Sequence, residues 1–370
     1  MARYNPNQVE EEILKFWKKS GIFDKLVKKN KGSEKVYSFM DGPITANNSM
    51  GVHHAWGRTL KDLYQRFHAL NGYDERYQNG FDCQGLWVEV EVEKALGLNS
   101  KKDIKSYGLS KFSNACKKRV EKYSKLQTLQ SEKLGQWFHF DNSYFTMSEN
   151  NNVHIWYFLK TCNDKGWLYK GNHVMPWCVR CGTALSQHEL SDGGYKEMTH
   201  KTVYVKFPLK DEKNKFFLVW TTTPWTLSSN SAIAVHPKLT YVKVKKGDEV
   251  YYLSKKVAEK LDDFTVLEEV LGEKLVGMEY GSLYPEFEVQ KEATKIVIPW
   301  DEVGEEEGTG IVHIAPGCGE ADYHLGKKHD VKAIAPLDEF GVYVKGFGFL
   351  SGKHVHEVNE AIFLDFEKKG

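Results

Sequence analysis

Apolar and polar positions in the first 170 residues follow helical and strand spacings in turn. Apolar side chains recur every three or four residues between Asn7 and Lys19, which predicts an amphipathic helix. The run Val36–Met40 is β-prone and ends in the turn sequence Asp41-Gly42-Pro43, so a strand is predicted there. The same criteria predict further helices at His53–Leu70, Trp87–Leu96 and Leu109–Leu134, and a strand at Glu75–Tyr77. Strands that alternate with helices of this length predict an α/β fold with a parallel sheet.

Beyond about Gly171 the pattern changes to short β-prone runs separated by turns. These runs are Thr202–Phe207, Phe216–Thr222, Tyr241–Val244, Tyr251–Leu253, Lys295–Pro299 and Gly310–Ile314. Such a series predicts a β-rich domain. We therefore divide the chain into an α/β part at 1–170, a connecting segment at 171–198 and a β-rich part at 199–370.

Composition narrows the class of protein. Hydrophobic residues at 41% are ample for buried cores, and charged residues at 27% indicate a water-soluble chain and not a disordered one. A net charge of +1 excludes a histone-like binder that attracts nucleic acid through its total charge. Six irregularly spaced cysteines favour a reducing compartment, and no export signal or membrane-length apolar run is present. These features predict a cytoplasmic protein without a membrane partner.

The junction between the predicted strand at Val36–Met40 and the following helix is the first candidate site. A loop that leaves a parallel strand and opens a helix offers backbone N–H groups and a positive dipole to phosphates. His53 and His54 stand at the helix start, and Arg58 or Lys61 follows one to two turns later. A histidine pair at a helix start is also commonly just solvated, so composition alone leaves both interpretations open.

Cys178-Val179-Arg180-Cys181 has the spacing of half a tetrahedral zinc site. His173 and His188 flank this pair and would complete a local set of two cysteines and two histidines. Cys178 and Cys181 are therefore candidate zinc ligands, against the alternative of two reduced structural cysteines.

The segment from Asp41 to Asn47, followed by Gly57–Asp62, resembles the first signature region of the class I aminoacyl-tRNA synthetases for isoleucine, valine and leucine. It is most similar to the isoleucine branch. The family tetrapeptide His-x-Gly-His falls on Gly51-Val52-His53-His54, so His54 matches the second family histidine and His53 replaces the glycine. The resemblance implies catalysis by His53 and His54, and a site for ATP with Mg²⁺ formed by Asp41, Gly42, Gly51, His53, His54 and Lys61.

A second segment, Gly80–Leu86, resembles the family stretch Gly-Trp-Asp-x-His-Gly-Leu. The family aspartate binds the α-ammonium group of the amino acid, which implies that role for Asp82. Gln84 replaces the usual histidine. The resemblance thus implies an amino-acid site of Pro43, Asp82 and Gln84. Without it, Asp82 would be a turn or cap residue.

Two segments of the β-rich part resemble the editing domain of the same family: Trp220–Leu227 and Gly308–Tyr323. They imply an editing site formed by Thr221, Thr222, Thr223, Trp225, His313, Cys318 and Asp322. Asp322 matches the aspartate that binds the amino group of the misacylated residue, whereas Cys318 stands where the isoleucine branch commonly has histidine. The threonines taken alone are equally well explained as good strand formers.

The resemblance implies a partial Rossmann-like catalytic domain at 1–170 and an editing domain at 199–370. The implied enzyme is an ATP-dependent ligase of protein biosynthesis that joins isoleucine to its tRNA. A hydrophobic pocket distinguishes isoleucine from valine by only about 1–3 kcal/mol, and the isoleucine branch is the usual example of this limit. Because some valine is then attached by mistake, hydrolysis of valyl-tRNA is expected too.

The family's Lys-Met-Ser-Lys-Ser loop, its second Cys-x-x-C pair and its anticodon-binding domain are not found in the sequence. We therefore expect a truncated product or a fragment with little aminoacylation activity by itself. The alternatives are a valyl-type or leucyl-type fragment, a free-standing hydrolase of misacylated tRNA, and a tRNA-binding remnant without catalysis.

Overall fold

The computed structural model describes residues 4–191, 195–306 and 308–370. Contacts divide the chain between Lys170 and Gly171 into two compact units. Unit 1 is the part up to Lys170 and unit 2 is the part from Gly171 onward. The assignment of these parts to a catalytic, a connecting and an editing domain stays a prediction.

Unit 1 alternates helices with short strands. Its helices are α1 (Pro6–Ser20), α2 (Ile22–Asn30), α3 (Val52–Leu70), α4 (Leu86–Leu96), α5 (Lys101–Tyr107), α6 (Leu109–Lys133) and α7 (Glu149–Asp164). Its strands are β1 (Val36–Met40), β2 (Ile44–Thr45), β3 (Asp74–Gln78), β4 (Gly80–Asp82) and β5 (Tyr144–Phe145). The elements predicted from apolar spacing are all present, within one residue at most of their ends.

The strands of unit 1 are paired in parallel, which confirms the predicted α/β class. β1 pairs with β3, while β2, β4 and β5 form a second parallel set in the order β2-β4-β5. The chain passes from β1 into β2 through Asp41–Pro43 and from β3 into β4 through Asn79. The candidate turn therefore separates β1 from β2, and Asn79 separates the neighbouring parallel strands β3 and β4.

Unit 2 is β-rich. Its strands are β6 (Trp177–Cys178), β7 (Thr183–Ala184), β8 (Val203–Pro208), β9 (Lys215–Thr221), β10 (Ala232–Val235), β11 (Thr240–Lys246), β12 (Glu249–Ser254), β13 (Thr265–Leu271), β14 (Ile296–Pro299) and β15 (Ile311–Ile314). Its helices are α8 (Gln187–Ser191), α9 (Lys255–Ala258), α10 (Glu320–Lys328) and α11 (Asn359–Lys369). The β-rich character expected from the sequence is thus observed.

Two sheets form the core of unit 2. The larger has the order β13-β11-β12-β9-β8, and the smaller has the order β14-β10-β15. All four residues of β10 are buried, because β10 is the central strand of the smaller sheet. Phe217 and Val219 of β9 share one apolar cluster with Ile233 of β10 and Ile311 of β15. This packing fixes the segment between β9 and β10 on which the second candidate site depends.

In the part of the chain that the structure describes, no helix has the length and apolar character needed to cross a membrane.

Candidate functional site

The turn after β1 is fixed by a buried carboxylate. Asp41 is only 1% exposed, and its N–H donates to the carbonyl oxygen of Gln78 at 2.9 Å, which extends the β1–β3 pairing by one residue. Lys61 of α3 donates from Nζ to Asp41 Oδ1 at 2.7 Å and to the Gly42 carbonyl oxygen at 3.1 Å. Asp41, Gly42 and Lys61, three residues predicted to bind ATP, therefore bind one another in this turn.

Arg58 of α3 adds a second cation to this turn. Its side chain is 1% exposed and its Nη2 lies 3.5 Å from Asp41 Oδ2. Nη1 donates to Asn79 Oδ1 at 3.2 Å and to Gln136 Oε1 at 3.1 Å. Burial lowers the pKa of Arg58, and the Asp41 charge opposes that shift. The guanidinium thus links both strand interruptions to the segment after α6.

A tyrosine crosses the sheet to reach the same turn. The Tyr144 hydroxyl donates to the Asp41 carbonyl oxygen at 2.6 Å. The ring passes directly over Gly80, where a Cβ atom would lie 2.2 Å from ring carbons. Any side chain at residue 80 would displace the ring. The packing of the Tyr144 ring therefore explains why residue 80, at the start of β4, is a glycine.

The histidine pair lies in the first turn of α3. The Gly51 N–H donates to Nδ1 of His54 at 3.1 Å, and the two imidazole centroids are 3.8 Å apart. The pKa of His54 is lowered by burial and by the charges of His53 and Arg58. Since Nδ1 accepts a hydrogen bond, His54 is a neutral imidazole with its proton on Nε2. The structure thus groups Gly51, His53 and His54 at a helix N-terminus, where an anion is favoured.

Asp82 ends β4 with a half-buried carboxylate. Thr45 donates from its hydroxyl to Oδ2 at 3.0 Å, and the Thr146 hydroxyl donates to Oδ1 at 3.4 Å. Neutral donors leave the negative charge available to an ammonium group. Gln84 is exposed just before α4, and Pro43 is half-buried directly before β2, the strand that pairs with β4.

Sequence patterns did not identify Asn79, Gln136 or Tyr144 as parts of this site. They lie far from Asp41 in sequence: Tyr144 contacts Asp41 itself, whereas Asn79 and Gln136 contact Arg58 beside it. The available signal was chemical: a polar residue between two strands, as at Asn79, needs a partner when it is buried.

In unit 2 a neutral network joins the threonine-rich segment to β15. His313 of β15 is 9% exposed, and its Nε2 lies 3.0 Å from the Thr226 hydroxyl. That hydroxyl donates to the Thr223 carbonyl oxygen at 2.8 Å, so the His313 nitrogen must be the donor. Thr226 belongs to a 3₁₀ turn, Pro224–Ser229, that follows β9 and the segment Thr222–Thr223.

Asn230 fixes the other face of the imidazole. Its Nδ2 donates to His313 Nδ1 at 2.9 Å and to the Ala232 carbonyl oxygen at 2.8 Å. Burial, and then the charge of Lys295, lower the pKa of His313 to about 3. Both ring nitrogens are occupied and the ring is neutral. His313 therefore orients the threonine segment and is not free to accept a proton from water.

The threonines themselves present hydroxyl groups at the end of β9. Thr221 Oγ1 accepts from the Thr223 N–H at 3.1 Å, whereas the hydroxyls of Thr222 and Thr223 lie 3.4 Å apart. Thr222 is exposed, while Thr221, Thr223 and Trp225 are half-buried. This segment offers hydroxyl groups to a ligand while its backbone is held by Thr226.

Cys318 lies two residues before α10, and Asp322 lies in the first turn of that helix. Asp322 Oδ2 accepts from the Ala315 N–H at 2.8 Å, and burial raises the pKa of its carboxyl group. Burial raises the pKa of Cys318 to about 12, so this thiol remains protonated and is a poor nucleophile. The Ser229 hydroxyl lies beside the thiol, which brings the end of the 3₁₀ turn next to α10.

The Cys178–Cys181 pair does not form a complete metal site. The Cys181 N–H donates to Cys178 Sγ at 3.3 Å, which is the tight turn expected of such a pair. Among the described residues, however, no three His, Cys, Asp or Glu side chains lie close enough to hold one ion. His173 lies instead against His324, with ring centroids 6.0 Å apart. The described donors therefore do not fit a four-coordinate zinc.

Comparison with known proteins gives a consistent family. Residues 12–314 match the family of class I tRNA synthetases (I, L, M and V). The isoleucine–tRNA ligase of Clostridium novyi (strain NT) is 42% identical over 363 residues, which are 98% of this chain and 35% of that protein. The isoleucine–tRNA ligase of Thermus thermophilus is 40% identical over 371 residues, again 98% of this chain and 35% of the relative.

An archaeal relative is nearly as similar. The isoleucine–tRNA ligase of Pyrococcus furiosus is 39% identical over 384 residues, covering 99% of this chain and 36% of the relative. The chain thus spans about a third of the length of the curated relatives it matches. Among solved structures, GlLeuRS-CP1 is similar at a TM-score of 0.38 and 14% identity, over 46% of this chain and 96% of that chain.

Proposed function

Because the chain belongs to the class I tRNA synthetase family, we propose that it is part of an isoleucine–tRNA ligase with a hydrolytic editing site. The observation that supports this most is the similarity of 98% of the chain to the isoleucine–tRNA ligase of Clostridium novyi, at 42% identity. The partners are then ATP with Mg²⁺, isoleucine and tRNA of the isoleucine acceptor type.

Unit 1 would contribute to amino-acid activation. Neutral His54, with a proton on Nε2, donates to a phosphate at the N-terminus of α3, and His53 lies beside it. Asp82 binds the α-ammonium group of isoleucine, while the hydroxyls of Thr45 and Thr146 hold the Asp82 carboxylate in place. In this proposal Asp41 and Lys61 act on ATP indirectly, because each neutralises the other in the turn.

A titration of the chain with ATP tests the unit 1 proposal. We expect His54→Ala to weaken ATP binding, since it removes a neutral donor from the α3 N-terminus. His139→Ala is the control, because His139 lies in the same unit and contacts Phe23 and Tyr77. Equal affinity of the His54→Ala variant and the control would contradict the proposed role.

Unit 2 would hydrolyse valyl-tRNA. Asp322 binds the amino group of the misacylated residue, and the hydroxyls of Thr222 and Thr223 orient the ester and the attacking water. His313 and Thr226 hold this segment in place through neutral hydrogen bonds. Water adds to the ester carbonyl, the ribose oxygen leaves with a proton, and valine is released. Cys318 does not take part as a nucleophile, because its pKa is about 12.

Release of valine from valyl-tRNA of the isoleucine acceptor tests the unit 2 proposal. We expect faster release of valine than of isoleucine from the matching charged tRNAs, and loss of that release in Asp322→Ala. Glu320→Ala is the matched control, because Glu320 is an exposed carboxylate on the same helix. Release at the spontaneous rate from the folded wild-type chain would refute the editing proposal.

A free-standing hydrolase of misacylated tRNA is the second candidate. The contacts among Thr226, Asn230 and His313 all lie within unit 2, which is a compact unit of its own. Valine release together with no ATP binding would favour this candidate.

Two further features complete the proposal. All six cysteines are free, which supports a reducing compartment such as the cytoplasm. Zinc at Cys178 and Cys181 would need two ligands from outside the described residues, and the proposed reactions do not use it.

A further inference from the structure

Lys295 has an unusual environment directly before β14. Its ammonium group donates to the Asn230 carbonyl oxygen and to Gln290 Oε1. Within residues 4–191, 195–306 and 308–370, these partners are amide oxygens, and no carboxylate pairs with Lys295. Burial lowers the pKa of Lys295 to about 7. A partly buried lysine without a counterion is costly, so its presence beside the hydrolytic site needs a reason.

Lys295 binds the main-chain carbonyl group of Asn230, the residue whose side chain donates a hydrogen bond to His313. The Asn230 side chain is held at every polar atom: Oδ1 accepts from the Tyr280 hydroxyl at 2.7 Å, and Nδ2 donates to Ala232 and His313. Tyr280 is a donor here, since burial raises its pKa well above the ordinary value. The amide therefore presents N–H to His313, and Lys295 fixes its main chain.

Gln290 gives Lys295 a second connection to residues 228–230, a segment which we call the corner. Its Nε2 donates to the Ser228 carbonyl oxygen at 2.6 Å, while its Oε1 accepts from Lys295. Ser228 is the last residue but one of the 3₁₀ turn that contains Thr226, and Asn230 directly follows that turn. Lys295 thus holds the carbonyl group of Asn230, and Gln290 holds the carbonyl group of Ser228.

These contacts point to a role in the hydrolytic site. We infer that Lys295 is a positioning residue: through Asn230 and Gln290 it holds His313 in the tautomer whose Nε2–H binds Thr226. The threonine segment that faces the substrate is thereby kept in one arrangement. The catalytic consequence rests on the proposed function, whereas the tautomer of His313 does not.

The tautomer can be observed directly. In protein labelled with ¹⁵N at histidine, long-range ¹H–¹⁵N spectra show which ring nitrogen of His313 carries the proton. We expect Nε2–H in the wild type, a mixture of tautomers in Lys295→Met, and Nε2–H again in Lys295→Arg, which keeps the charge and the donors. Lys291→Met is the matched control, because Lys291 is an exposed lysine four residues earlier.

Rates of valine release test the catalytic part. Since Lys295 contacts residues of the protein and not the substrate in this scheme, Lys295→Met should lower kcat with KM unchanged. A misplaced positioning group typically costs on the order of a hundredfold in rate. If Lys295→Met does not fold, Gln290→Leu is used, because it removes the other hold on the corner and should act in the same direction.

The outcomes separate the two proposals. Unchanged tautomer and unchanged kcat in a folded Lys295→Met variant would overturn the inference on Lys295. A changed tautomer with unchanged kcat would show that Lys295 positions His313 but has no role in hydrolysis, which would also overturn the inference. No release by the wild type, with the tautomer still altered in Lys295→Met, would refute the hydrolytic function and support the positioning of His313 by Lys295.

Discussion

The two candidate sites fix their loops with opposite kinds of chemistry. In unit 1 the turn after β1 is held by a buried carboxylate between two cations, Lys61 at 2.7 Å and Arg58 at 3.5 Å. In unit 2 the segment after β9 is held by neutral hydrogen bonds from His313 to Thr226 and from Asn230 to His313. Lys295, a cation beside that network, donates to two carbonyl oxygens and has no carboxylate partner among the described residues.

This difference has energetic consequences. Removing one member of a buried ion pair leaves an uncompensated charge, which typically costs about 3–5 kcal/mol. Removing one neutral hydrogen bond typically costs about 1 kcal/mol. Substitutions in the unit 1 turn should therefore lower stability, whereas substitutions in the unit 2 network should lower activity at nearly constant stability.

The largest effect is expected for Asp41→Asn. This change leaves Arg58 charged and buried without its carboxylate, and unit 1 should lose about 3–5 kcal/mol. Hydrogen exchange of peptides from α3 and β3, followed by mass spectrometry, measures the loss in unit 1 alone. Asp24→Asn, at an exposed position of α2, is the control. Equal protection in both variants would show that the ion pairs do not stabilise the turn.

The next effect concerns Glu75 of β3 and depends on pH. Burial, supported by the charge of Asp62, raises the pKa of Glu75 from 4.5 to about 7. Between these two values the folded state binds more protons than the unfolded state, so stability falls as pH rises through this window and is level above it. The loss should be roughly 3 kcal/mol in unit 1.

Glu75→Gln should abolish this slope, because glutamine does not titrate. Protection of unit 1 peptides against hydrogen exchange, corrected for the intrinsic rate at each pH, gives the stability of both forms. A slope that persists in Glu75→Gln would assign the pH dependence to another group.

A pair of glycine substitutions should have opposite effects in unit 1. Gly80→Ala places a Cβ atom 2.2 Å from the Tyr144 ring and should cost about 1–3 kcal/mol. Gly57→Ala, in the interior of α3 with no atom within 4 Å of the new Cβ, should stabilise by up to about 1 kcal/mol. Thermal unfolding of the two variants tests both signs, and destabilisation by both would contradict the steric account.

The smallest effect on stability is expected for Thr226→Val in unit 2. The change keeps the side-chain shape and removes one neutral hydroxyl, at a cost of about 1 kcal/mol. It also breaks the link between His313 and the Thr223 carbonyl oxygen. Valine release should therefore fall far more than stability does. Thr240→Val, on β11, serves as the control for loss of a hydroxyl.

Local patterns were sufficient for many elements of the fold. The strand Val36–Met40 was predicted with its observed bounds, and the helix α3 within one residue, because their apolar residues follow a single period. The helices α2, α5 and α7 were not predicted. α2 follows α1 directly through Gly21, whose positive φ of 56° lets one helix end and the next begin.

The candidate site residues were predicted from the resemblance and stay predictions, whereas their hydrogen-bond partners were not predicted. The motifs indicated Asp41 and Lys61 as separate ligands of ATP, whereas the structure pairs them at 2.7 Å. The motif around Asp322 indicated His313, but Asn230 and Lys295 became visible only through hydrogen bonds across strands. Such contacts depend on the pairing of β10 with β14 and β15, which no local period reports.

Release of valine by Asp41→Asn and Thr226→Val, compared at equal folded fraction, shows which of the two units carries the hydrolytic chemistry. In the proposed function, hydrolysis depends on the neutral network of unit 2. We therefore expect release near the wild-type rate for Asp41→Asn and a loss on the order of tenfold or more for Thr226→Val. The reverse result, with release lost in Asp41→Asn and kept in Thr226→Val, would contradict it.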